Sequence, residues 1–296
     1  MNRTERSRAG MGTLCVMLSA LIFGVTPIMA KWTYAGGSNA VNLTLLRSLL
    51  ALPVLLVLAL RQPGGLRVGR YAALPLAAAG VLKGGTTILL YSSYDYVDVG
   101  MATTLHFVYP LAVAVLAWVF LRRRLDAKQA VGLALGLGGA ALFALGADSV
   151  GLQGVALALI SGVTYGGYML LVECRLGRMP HFALSFYLEA VCVALSGGYG
   201  LATGNLTVSL TPAAWLYSFL LAIGITVCAC VLLQVGIRYT GATRAALLSL
   251  LEPIASVASG VLFMGETLPA GKAAGCALIL VSPVSYTHLT LPTIRL

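Results

Sequence analysis

The feature that most constrains this chain is a succession of apolar runs, each close to twenty residues long, separated by short breaks rich in Gly, Pro and basic residues. A helix rises 1.5 Å per residue, so about twenty apolar residues cross a hydrocarbon core of roughly 30 Å. A water-soluble domain carries about 25% charged residues; this chain carries 9%, against 59% apolar. An all-α integral membrane protein is therefore expected, with the lipid bilayer as its solvent. The net charge of +10 does not point to nucleic acid, because the cations sit in short clusters between apolar runs. The six cysteines form no CxxC pair and lie mostly within those runs, as small buried hydrophobes do. No metal site or cofactor is expected.

Ten spans are predicted, at 11–33, 40–60, 71–93, 98–121, 128–146, 152–173, 181–203, 212–236, 243–264 and 270–284. The first is too long for a cleaved signal peptide and reads as a retained span. Basic clusters occupy alternate connections: Arg3, Arg6 and Arg8; Arg61, Arg67 and Arg70; Arg122, Arg123, Arg124 and Lys128; Arg175 and Arg178; Arg238 and Arg244. Asp95, Asp98, Asp148 and Glu266 fall in the others. Cytoplasmic loops are enriched in Lys and Arg. Both termini are accordingly expected in the cytoplasm, with the chain in the cell (inner or plasma) membrane.

The two halves resemble each other. FGVTP at 23–27 matches SGVTY at 161–165, and LHFVYPLAVAVLAWVF at 105–120 matches LSLLEPIASVASGVLF at 248–263, with Pro110 on Pro253. Five spans per half is an odd number, so the second copy must insert upside down. The loop charges agree: YSSYDY over QVGIRY sets Asp95 against Arg238, and LRRRL over MGETL sets three arginines against Gly-Glu-Thr. The expected organisation is thus two inverted five-helix repeats, 1–146 and 147–284. Such repeats place a substrate site near the bilayer midplane, at the interface between halves.

ALIFG in the first span, LLRSLLAL in the second and LEPIASVASGVLFMGETL in the ninth resemble the EamA family of the drug/metabolite transporter superfamily over residues 11 to about 284. The resemblance implies a secondary transporter of small metabolites, often an exporter of amino acids or related compounds, and leaves the substrate open.

Ionisable groups at bilayer depth are costly and usually face the bundle interior or a wet cavity. Glu252 stands about 12 Å into its helix, eight residues past Arg244. Pro253 lacks an N–H, which frees the carbonyl of Ser249. Pro110 does the same for His106, with Tyr109 in place of the Glu. His106, Tyr109, Ser249 and Glu252 are therefore candidates for a shared central site, with Pro110 and Pro253 as hinges. Glu252 could instead be one half of a structural ion pair with Arg47 or Lys83, or could exchange a proton during transport. Arg47 reads as a structural charge. Lys83, in VLKGGTT, is a candidate anchor for a substrate carboxylate or a snorkelling lysine. Glu189 lies at mid-depth without an evident partner. Thr26, Tyr91, Thr164, Tyr165, Tyr168 and Gln234 complete the expected binding set, and their hydroxyl-tipped aromatic walls suit an amphipathic or aromatic solute. Tyr34, Tyr71, Tyr94, Tyr96 and Tyr217, near helix ends, read as interfacial belt residues.

GLALG at 132–136 and GKAAG at 271–275 are small-xxx-small motifs that suit close packing in a monomer or homodimer. SYTHLTLPTIRL at 285–296 departs from the repeat and reads as a non-native tail. The sequence has no HExxH, no GxSG and no phosphate-binding GxxxxGK[ST]. The leading expectation is a secondary active exporter of a small molecule such as an amino acid or related solute, working by alternating access. The alternatives are an intramembrane enzyme, or a channel or scaffold without carrier activity.

Overall fold

In the computed structural model, residues 3–138 are described except 98, 124–126, 128–129, 132 and 136, together with residues 151–264. Every regular element among them is helical. In chain order they are α1 (Arg3–Phe23), α2 (Thr26–Ala35), α3 (Ala40–Arg61), α4 (Ala73–Ser93), α5 (Val99–His106), α6 (Tyr109–Leu121), α7 (Leu152–Leu171), α8 (His181–Thr203), α9 (Pro212–Leu221), α10 (Cys230–Thr240), α11 (Ala242–Leu248) and α12 (Glu252–Met264). Six helical stretches are long and apolar enough to cross a membrane: Arg8–Ala35, Ala40–Arg61, Ala73–Ser93, Leu152–Leu176, His181–Thr203 and Pro212–Thr240. The predicted tenth span and the tail lie outside the described residues, as does most of the predicted fifth.

Helix boundaries follow local chemistry. Asn39 caps α3 by accepting from the Asn42 N–H at 2.9 Å. Thr211 caps α9 in the same way, ahead of Pro212. α8 ends at Gly204, at φ 69°, where a side chain would be strained.

Among the described residues, five spans are not regular α-helices throughout. The first breaks at Gly24–Val25 ahead of Pro27, the fourth at Phe107–Val108 ahead of Pro110, and the ninth through a 3₁₀ turn, Ser249–Leu251, ahead of Pro253. The eighth widens into a π-helical segment, Ala222–Ala229, between α9 and α10. A shorter π-helical turn, Val172–Leu176, ends the sixth.

The packing pairs exchange with one another when the halves are swapped. α3 lies against α8, which are the second spans of their halves. α1 lies against α10 as α7 lies against α4, and α12 against α1 as α6 against α7. This is a two-repeat fold. Gly24 and Gly162, equivalent in the repeats, both stand at close approaches between helices. A Cβ on Gly24 would come 2.4 Å from the Ala255 Cβ, and one on Gly162 would come 2.6 Å from the His106 carbonyl oxygen. Glycine is what lets the unbroken part of one helix press on the broken point of another.

The distribution of polarity is inside out relative to a soluble domain. Leu14, Leu60, Trp118, Phe120 and Leu216 face outward, while Ser19, Thr44, Ser48, Ser185, Glu189 and Thr226 are fully buried. In hydrocarbon, backbone and side-chain polar groups must be satisfied within the bundle. Ser19 does so by donating across to the Ala229 carbonyl at 2.8 Å.

Candidate substrate cavity

The helix breaks converge on one cavity of about 70 Å³. A single water needs roughly 10–15 Å³, so this is space for a small polar solute. Broken segments contribute Phe23, Thr26, Pro27, His106 and Glu252. Arg47 comes from α3, and Tyr165 and Tyr168 from α7. α4 supplies Lys83, Thr86, Thr87, Leu90 and Tyr91, with Tyr94 just beyond its end, at the three- and four-residue spacing of one helix face.

Lys83 forms an ion pair with Glu189 of α8, both side chains being almost wholly buried. The alternative in which Lys83 is the structural partner of Glu252 is therefore not what forms. The pair also gives Glu189 the partner that the sequence does not reveal. Glu189 Oε2 is left without a hydrogen bond.

Arg47 is 5% exposed. Its Nη2 donates to Thr87 Oγ1 at 3.2 Å, and its guanidinium carbon lies 5.8 Å from the centre of the Tyr91 ring. Its Nε has no partner. Among the described residues, no carboxylate pairs with Arg47 and no cation pairs with Glu252. The expected ion pair between them is therefore not formed. One cavity thus presents a guanidinium and a carboxylate, each lacking a counter-ion.

His106 is held by its Nδ1, 2.8 Å from Ser161 Oγ. The Ser161 hydroxyl already donates to the Ala158 carbonyl at 2.6 Å. Its single proton is spent, so Nδ1 must be the donor, and in the neutral ring Nε2 is left as an acceptor. The ring also packs 5.4 Å from Tyr109 and from Tyr165. Thr86 and Thr164 meet hydroxyl to hydroxyl at 2.7 Å, which joins the two halves beside the cavity.

Several expected site residues stand behind the wall. Tyr109 is fully buried in the core, and its hydroxyl has no hydrogen-bond partner among the described residues. Ser249 Oγ donates to the Ala245 carbonyl at 2.9 Å, one turn back, so its hydroxyl is occupied. Gln234 accepts from Ser185 at 3.0 Å and is buried between α10 and α8. Thr164 reaches the site only through Thr86. Tyr94, expected at the interfacial belt, lines the cavity instead, continuing the face of α4 that carries Lys83, Thr87, Leu90 and Tyr91. Thr86, Thr87, Thr103, Cys230 and Leu233 are lining residues that the sequence reading does not single out. The α4 face was detectable, since residues 83, 87, 90, 91 and 94 follow helical spacing from Lys83.

Among the described residues, no group of three His, Cys, Asp or Glu side chains could hold a metal ion.

The profile of the EamA-like transporter family matches residues 10–145 and again residues 152–285. The chain belongs to the EamA-like transporter family. It is a multi-pass membrane transporter of the drug/metabolite type and not an enzyme. It is 33% identical to the threonine/homoserine exporter RhtA of Escherichia coli K12 over 240 residues, covering 78% of this chain and 76% of that one. It is 31% identical to RhtA of Salmonella typhimurium LT2, over 91% of this chain and 88% of that one. It is 29% identical to the uncharacterized transporter YcbK of Bacillus subtilis, over 98% of both. A solved crystal structure aligns with a TM-score of 0.78 at 21% identity, covering 94% of this chain and 96% of that one. That likeness shows that the two chains share a fold. Within it, the cavity lies where the broken helices of one half meet those of the other.

Proposed function

We propose that this EamA-like transporter is a secondary active exporter of a small zwitterion of the amino-acid class, acting in the cell membrane by alternating access. The observation that carries the reading is the unpaired guanidinium of Arg47 and the unpaired carboxylate of Glu252 in one cavity. An α-carboxylate on Arg47 and an α-ammonium near Glu252 would neutralise both at once. Buried charges are stable only when paired and hydrogen-bonded, so a zwitterion would supply the counter-charges that the two side chains lack. Lys83, expected as the carboxylate anchor, is already neutralised by Glu189. The role passes to Arg47, whose planar fork suits carboxylates.

The RhtA relatives, which are threonine/homoserine exporters, support the same class. Thr26, whose hydroxyl has no partner among the described residues, and the His106 Nε2 acceptor are suited to a hydroxylated side chain. The tyrosines at 91, 94, 165 and 168 favour a second reading, an aromatic amino acid, whose ring they would stack against. Residues 1–146 and 147–284 act in this reading as the two inverted repeats, with both termini in the cytoplasm.

The test is efflux from proteoliposomes loaded with labelled threonine, with phenylalanine as competitor. Saturable efflux of threonine is expected. Arg47→Gln and Glu252→Gln should each raise its KM by 10-fold or more, given about 1.5–3 kcal/mol for a charged hydrogen bond. Flux proportional to concentration without saturation would mean a channel, and stronger inhibition by phenylalanine than by threonine itself would move the substrate to the aromatic class.

A further inference from the structure

Among the described residues, the cavity is closed toward one end of the bundle by apolar packing and, beyond it, by one carboxylate. Its lining reaches Leu90, Tyr94 and Thr103 in one direction and stops at Leu233 in the other. Beyond Leu233 lie fully buried apolar side chains, among them Val113, Met169, Ile237 and Ala245. Beyond those stands Glu173, at the end that carries Arg123, Arg175, Arg178 and Arg238.

Glu173 joins three spans of both halves. Its Oε1 accepts from Arg123 Nη1 at 2.5 Å, just past the end of α6. Its Oε2 accepts from the Ala242 N–H at 3.0 Å, the first residue of α11. Glu173 itself sits in the π-helical turn at the end of the sixth span. π-turns cluster at functional sites and are less regular than the α-helix they interrupt.

Both partners are delivered by unusual backbone. Arg122 closes α6 at φ 52°, and it alone among the described non-glycine residues has a positive φ. That conformation costs stability unless the surroundings enforce it. Gly241 adopts φ 81° and ψ 158°, a region essentially restricted to glycine, and a Cβ there would come 3.4 Å from Glu173 Oε1. The contact cannot be duplicated at the opposite end: the register that sets Gly24 on Gly162 sets Ala35 on Glu173.

We propose that Glu173 is the latch of the gate at this end, holding the fourth, sixth and ninth spans together while the cavity faces the other side and releasing them when it turns. The proposal rests on the alternating-access reading above, in whose orientation this is the cytoplasmic gate. The surface pair with Arg123 alone would hold little, since Arg123 is 53% exposed. The backbone bond to Ala242 makes the latch a two-pronged carboxylate clamp. Release needs no chemistry beyond rehydration of one carboxylate, so the latch can be weak enough to open in each cycle.

The native Cys230 lines the cavity and serves as reporter. Cys15, Cys174, Cys192, Cys228 and Cys276 are replaced, and a membrane-impermeant methanethiosulfonate is applied from each face of oriented vesicles, with and without threonine. The unaltered latch should give slow labelling from the Arg123 face. Glu173→Ala should raise that rate about tenfold, with an opposite fall from the other face, while Arg123→Ala raises it less because the Ala242 bond survives. Glu173→Gln, which keeps an acceptor for Ala242, should fall between them. Thermal stability of each variant in detergent is measured alongside. Unchanged sidedness in a stable Glu173→Ala variant, in a protein whose labelling otherwise responds to threonine, would overturn the latch and leave the carrier standing. Equal labelling from both faces before any latch mutation, with or without threonine, would overturn both.

Discussion

Lys83 of α4, on the wall of the candidate cavity, forms a buried ion pair with Glu189 of α8. Removing one member of such a pair strands the other, at a cost of roughly 3–5 kcal/mol, whereas replacing both with apolar groups is often neutral. Lys83→Met is therefore expected to lower thermal stability in detergent sharply, and Lys83→Met with Glu189→Leu to recover most of it. Threonine efflux by the double variant should retain a KM within a few-fold of the parent. A stable double variant that binds no threonine would return the carboxylate anchor to Lys83.

The two repeat-equivalent glycines make a prediction about packing. Gly24→Ala and Gly162→Ala place a methyl group against backbone or a short side chain that cannot swing aside. Overpacking of this kind costs about 1–3 kcal/mol. Gly85→Ala, where nothing lies within 4 Å, should be neutral or slightly stabilising. Melting temperatures of the three variants check the contrast. Equal behaviour would mean that the breaks relax easily and are not tightly pressed by the neighbouring helices.

Much of this arrangement was legible in the sequence, because length and hydropathy fix spans and the bilayer fixes depth. The second span was expected at 40–60 and is Ala40–Arg61; the seventh was expected at 181–203 and is His181–Thr203. Depth even hinted at the Lys83–Glu189 pair. Lys83 stands ten residues from the start of α4 and Glu189 eight from the start of α8, so the two lie at roughly 15 and 12 Å from the same end. What sequence does not give is azimuth, the direction in which a residue faces around its helix. Tyr109 and Gln234 turn into the core and Tyr94 into the cavity because of how whole helices pack, which no local pattern encodes. The π-helical segment at Ala222–Ala229 was equally hidden, since its residues are apolar but for Thr226.

The proposed orientation predicts which loops meet which side. Pro63, in the connection from α3 to α4, belongs with the arginine-rich end, and Ser209, between α8 and α9, with the other. Single cysteines at these positions in a cysteine-free background should be labelled by an impermeant maleimide from opposite faces, Ser209→Cys in intact cells and Pro63→Cys only after permeabilisation. The reverse pattern at both sites would invert the topology and turn the proposed exporter gate into an external one.

The ninth span carries the last prediction. Its α-helix stops at Leu248, tightens through the 3₁₀ turn Ser249–Leu251 and resumes at Glu252, with Pro253 fixing the restart. The break sets Glu252 on the cavity wall, while Pro253 keeps the segment from re-forming a continuous helix. The two residues should therefore fail differently. Pro253→Ala permits a continuous hydrogen-bond ladder and should leave threonine binding within a few-fold while slowing turnover, because the change between inward- and outward-facing states needs the bend. Glu252→Gln should weaken binding of a zwitterion far more than it slows turnover at saturation. If Glu252 also carries the coupled proton, the same change should abolish the dependence of efflux on an imposed pH gradient. Binding measured by thermal shift and flux measured in proteoliposomes separate the cases. Equal loss of binding in both variants, together with lowered stability, would show that the break is a fixed support for the cavity and takes no part in its motion.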